Sequence, residues 1–155
     1  MSGRVSHRIV GALGLCALLA SPAWASPHRL DDSQSHAVPP TVQMQWRPLA
    51  PGQGDTGMEA WVRVNVRIAT RAWLGRSGRI YMVLPRDQST ALEASWTTQG
   101  RLLAGRLVSG ERTLVWAGTI TSDTLQDQLL VRLRTASDWG GSSRRLTFHF
   151  EFDTD

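Results

Sequence analysis

From Thr41 to the C-terminus, apolar and polar residues alternate with a period of two in one segment after another. The cleanest run is 60–68, where Val62, Val64, Val66 and Ile68 share one face and Trp61, Arg63, Asn65 and Arg67 the other. A helix would scatter those valines around its circumference, whereas a strand lines them up, and β-branched residues favour it. Residues 41–46 alternate as well, with Val42, Met44 and Trp46 on one side, and predict a half-buried first strand. The run 80–84 is apolar on both faces and reads as a central strand. Segments 92–98, 101–108 and 112–121 are separated by Gln99-Gly100 and Ser109-Gly110, which predicts a meander of hairpins. Strands at 129–134 and 145–152 bring the total to seven or eight. No segment carries the period of an amphipathic helix. The predicted fold class is therefore all-β, an immunoglobulin-like β-sandwich, with a small closed barrel as the next architecture.

The region before Thr41 has a different texture. Arg4, His7 and Arg8 precede an apolar run over 9–20, and Ala23-Trp24-Ala25 follows. This is the layout of a cleavable secretory signal over 1–25, with the mature chain beginning at Ser26. The apolar run is too short to span a membrane, which takes about 20 residues. The only cysteine, Cys16, leaves with the signal, so the mature domain must hold together without disulfides. Residues 26–40 are polar and end in Pro39-Pro40, and predict a flexible arm ahead of a domain at 41–155. The expected location is outside the cytoplasm, in a periplasm or at a cell surface, with no transmembrane segment after cleavage.

Charge changes little in this picture. The formal balance of +4 falls to +2 without Arg4 and Arg8, and every basic residue is arginine. The high isoelectric point of about 10.9 reflects the lack of groups titrating between neutrality and arginine, and it does not point to nucleic acid.

Candidate chemistry is sparse. The mature chain has no cysteine, no G-x-S-x-G elbow, no glycine-rich phosphate loop and no zinc spacing, so no catalytic residues, cofactor or metal are assigned. His28, Asp31, Asp32 and His36 lie together in sequence, but a flexible arm would not preorganise them around an ion. His149 alternates with Phe148 and Phe150 and is expected at the surface beside Glu151. Between Glu59 and Asp87 runs a series of arginines with no intervening acid, and Arg63 and Arg67 share a strand face with Trp61. That combination suits stacking on a sugar or contact with an anionic polymer, and Trp61 is the tryptophan whose pattern sets it opposite the valines.

The last strand is the other feature. Leu146, Phe148, Phe150 and Phe152 line one face almost at the chain end, and burying four such side chains is worth about 8 kcal/mol by area. Gly140 precedes Phe152 by twelve residues with alternating hydrophobics between them. In this motif, and in its exported sandwich plan, the chain resembles the pilus subunits of bacterial chaperone–usher systems, as a cysteine-free minor or accessory member. The resemblance implies a sandwich short of one strand and a non-enzymatic assembly role. A periplasmic chaperone, and then neighbouring subunits, would add a strand beside Gly140, Leu146, Phe148, Phe150 and Phe152. Val42, Met44 and Trp46 would serve either as a donor strand or as the domain's own first strand.

Overall fold

A computed structural model describes residues 26–46, 57–86, 92–136 and 147–155. Residues 1–25, for which a signal is expected, and Gly140 and Leu146 lie outside the described residues. The described residues form ten strand segments: β1 (His28–Arg29), β2 (His36–Val38), β3 (Gln45–Trp46), β4 (Gly57–Ala69), β5 (Ser77–Val83), β6 (Leu92–Thr98), β7 (Gly105–Val108), β8 (Arg112–Thr119), β9 (Thr124–Ala136) and β10 (His149–Thr154). A single 3-10 turn, Arg71–Trp73, separates β4 from β5. Two antiparallel sheets face each other in the all-β sandwich that the alternation predicts. One has the order β1-β10-β5-β8, and the other β2-β4-β9-β6-β7, with β3 also on β4. No helix among the described residues is long and apolar enough to cross a membrane.

The period-two residues fill the space between the sheets. Val62, Val64, Val66 and Ile68 of β4 are buried, as are Leu129, Val131 and Leu133 of β9, which pairs with β4 along its full length. From the opposite sheet come Ile80 and Met82 of β5, Val115 of β8, and Phe150 and Phe152 of β10. Trp96 is buried too, and its indole N–H donates to the Leu103 carbonyl at 2.9 Å, so the polar end of the side chain is satisfied. A small cavity of about 10 Å³ between the sheets is lined by apolar side chains alone, Trp96 and Phe148 among them.

Three expectations need correction. The meander holds for β6 and β7, which pair, but β8 leaves that sheet and pairs with β5 across the sandwich. The turn between β7 and β8 is anchored to both sheets: the Ser109 N–H donates to Leu92 and the Gly110 N–H to Leu84. Local alternation marks a strand but carries no information on which partner completes it. Secondly, only Gln45–Trp46 of the predicted 41–46 strand is paired. Val42 and Met44 pack partly buried against the core without ladder bonds, and Pro39-Pro40, which lack N–H donors, interrupt the edge between β2 and β3.

The third correction concerns the arm. Residues 26–40 do not hang free but lace the two sheets together. β1 pairs with β10, the Leu30 N–H donates to the Phe150 carbonyl at 2.9 Å, and the Leu30 side chain is 3% exposed. The chain then crosses to the other sheet. There the Ala69 N–H donates to the Asp31 carbonyl, and β2 pairs with β4 at Asn65, Val64 and Arg63. Ser35 reinforces the crossing: its hydroxyl oxygen accepts the Arg67 N–H at 2.8 Å and donates to the Arg67 carbonyl at 3.2 Å. The segment's polar composition reflects its exposed side chains. Backbone bonds, the Ser35 hydroxyl and the buried Leu30 hold it.

Leu30 is thus a core residue, and Leu30→Ala is expected to cost about 3 kcal/mol in urea unfolding, within the range of buried leucine truncations. A loss below about 0.5 kcal/mol, the scale of surface substitutions, would mean that the segment is detached.

Candidate binding face

The outward row of β4 runs Trp61, Arg63, Asn65, Arg67, with Trp61, Arg63 and Arg67 exposed as the alternation predicts. The sheet's register sets what stands beside each residue. Arg63 has Val38 of β2 directly across on one side and Leu130 of β9 on the other. Val38, Leu130 and Trp61 are 44%, 42% and 54% exposed, three of the five large hydrophobic side chains that remain open to solvent among the described residues. They gather around one arginine. Trp61 faces Arg132 of β9, whose guanidinium lies 5.5 Å over the indole ring and is held there by Glu59 at 2.6 Å. Arg106 pairs with Glu93 at 3.3 Å on the same sheet face. Arg63 and Arg67 have no side-chain partner among the described residues.

Between Arg63 and Arg67 a polar row crosses three strands. The Gln128 amide donates to Asn65 Oδ1 at 3.0 Å, and the Asn65 amide lies 3.2 Å from His36 Nε2, to which it donates. His36 Nδ1 is 3.3 Å from the Gln34 carbonyl. The face therefore presents, in sequence along β4, an aromatic ring, a cation flanked by apolar side chains, a row of amides and a second cation. Trp61, Arg63 and Arg67 are legible in the alternation. Val38 and Leu130 are not, because one sits in a polar segment and the other follows Leu129 as a second apolar residue out of phase.

The C-terminal strand is organised differently. Phe150 and Phe152 are fully buried, while Phe148 is half-buried and meets Phe150 edge to face at 5.9 Å. Trp73 packs edge-on against Phe152 at 5.2 Å, and His28 covers Trp73 at 4.7 Å. One edge of β10 is taken by β5 and the other, over Glu151 and Phe152, by β1. On its outer face, Arg112 lies 4.0 Å over the Tyr81 ring and binds Asp153 at 2.7 Å, with Glu151 at 3.8 Å. His149 lies beside Glu151 at 3.2 Å as predicted, but its side chain is only 16% exposed and not at the open surface. These charges compensate one another locally, unlike those around Arg63.

The fold divides His28, Asp31, Asp32 and His36. His28 belongs to β1 in one sheet and His36 to β2 in the other. No three His, Cys, Asp or Glu side chains converge among the described residues. The two aspartates between them diverge electrostatically. Asp31 accepts a backbone hydrogen bond from Ser33, which lowers its pKa. Desolvation raises that of Asp32, more than its own backbone hydrogen bond and nearby Arg29 and His149 lower it.

A carboxyl with a raised pKa in the folded state destabilises the fold once ionised, so the penalty exists above that pKa and vanishes below the ordinary carboxylate value. Asp32→Asn should accordingly raise the melting temperature at pH 7, with the gain shrinking as pH falls through the carboxylate range. Thermal melts across that range measure it, and an equal gain at pH 7 and pH 3 would contradict the assignment to ionisation.

No protein-family model matches this chain, and neither does any curated protein or solved structure with which it was compared.

Proposed function

We propose that this is an exported, non-enzymatic binding protein that takes a glycan or an anionic surface polymer on the outer face of the six-stranded sheet. The observation that carries the reading is the gathering of Val38, Trp61 and Leu130, all exposed, around Arg63, which has no side-chain partner among the described residues. Exposed apolar side chains scattered singly need no explanation, but a cluster with an arginine at its centre has the composition of a contact surface. Trp61 is held in orientation by Arg132, which lowers the entropy lost when a ligand stacks on it.

A second reading has an observation of its own. β1 covers the outer edge of β10 with only two residues, assisted by the single bond from Leu30. A periplasmic chaperone or a neighbouring pilus subunit that displaced β1 would find a hydrogen-bonding edge with Phe150 and Phe152 behind it. That assembly reading makes soluble accumulation depend on a chaperone. A monomer that folds cooperatively without one would contradict it and leave the binding reading standing.

For the binding reading, the double substitution Trp61→Ala with Arg63→Ala is expected to cut retention on immobilised polysaccharides by tenfold or more, about 1.4 kcal/mol, with circular dichroism and melting temperature preserved. Unchanged retention would contradict the assignment of this face.

A further inference from the structure

The order of groups along β4 narrows the ligand. We infer that the face accommodates an acidic polysaccharide lying along β4, with a sugar ring stacked on Trp61 and carboxylates taken by Arg63 and Arg67. The inference rests on the binding reading above and specifies its ligand.

Charge complementarity comes first. Glu59 and Glu93 are engaged by Arg132 and Arg106, which leaves Arg63 and Arg67 as cations without internal partners among the described residues. They stand four residues apart on one strand, about 13 Å at the strand rise, so a single small anion does not bridge them. A chain with repeated negative charges does. Val38 and Leu130 flank Arg63, so a carboxylate-bearing chain seated on Arg63 would also cover two exposed apolar side chains.

The remaining groups distinguish a sugar chain from a bare polyanion. Trp61 offers an exposed indole, a platform for the C–H face of a pyranose ring. Asn65, Gln128 and His36 form a linked polar row between the two arginines, where the hydroxyls of an intervening sugar would lie. The surface is a sheet face and not a cleft, so affinity has to come from several repeats along the row, which favours a polymer over a monosaccharide.

The test is binding of polygalacturonate to the mature protein at low salt, by calorimetry. It is run alongside fully methyl-esterified polygalacturonate and poly-L-glutamate at equal repeat concentration. The acidic polysaccharide is expected to bind at least tenfold more tightly than either comparison polymer. Trp61→Ala, and separately Arg63→Ala with Arg67→Ala, should each weaken it at least tenfold. Leu74→Ala removes an exposed leucine outside this face and should leave binding unchanged. Poly-L-glutamate binding equally well, and lost in the Arg63 and Arg67 variant, would overturn the sugar while the face itself stands. The neutral polymer binding equally well would overturn the role of charge. Polygalacturonate binding that survives all the β4 substitutions would overturn both the inference and the reading beneath it, and no binding of polygalacturonate would overturn the inference.

Discussion

The structure depends on how Phe150 and Phe152 are enclosed. Both are fully buried, among the largest side chains in the core. They stay buried because β10 is not an edge: β5 flanks it on one side and the N-terminal residues His28–Leu30 on the other. Gly78 makes the close approach possible. A Cβ at that position would come within 2.7 Å of the Phe152 ring and would collide with the Asp153 carbonyl. Residues 28–30 and the last strand therefore meet at the core, 120 residues apart in sequence between Leu30 and Phe150.

The covering of β10 also shapes the surface. The N-terminal segment that covers β10 continues into β2 and sets Val38 beside Arg63. The same stretch of chain thus closes the core on one sheet and builds part of the contact face on the other. The fold and the proposed site are coupled through residues 28–38, and the outer face of the opposite sheet, where Arg112 is matched by Asp153 and Glu151, is left electrostatically quiet.

Much of this was legible in the pattern of residues. The valines of β4 announce a strand and its buried face, β6 appears with its observed limits, and the terminal phenylalanines announce a core strand. Pairing was less legible. Nothing in 105–119 says that β7 and β8 belong to different sheets, because alternation is a property of one strand and pairing a property of two. Composition misled at 26–40: the segment is polar because most of its side chains face water, while its ordering comes from backbone hydrogen bonds and from Leu30. Of the contact face, Trp61, Arg63 and Arg67 follow from spacing within β4. Val38 and Leu130 enter only through the register of β2 and β9.

The joint closing of the core by residues 28–30 and β10 is tested most directly by hydrogen exchange at the Leu30 amide, which donates to Phe150. The account predicts that this amide exchanges with the slowest class, alongside those of Val64 and Ile80, through global unfolding alone. Exchange of Leu30 at the rate of an unstructured peptide, with Val64 and Ile80 still protected, would contradict it.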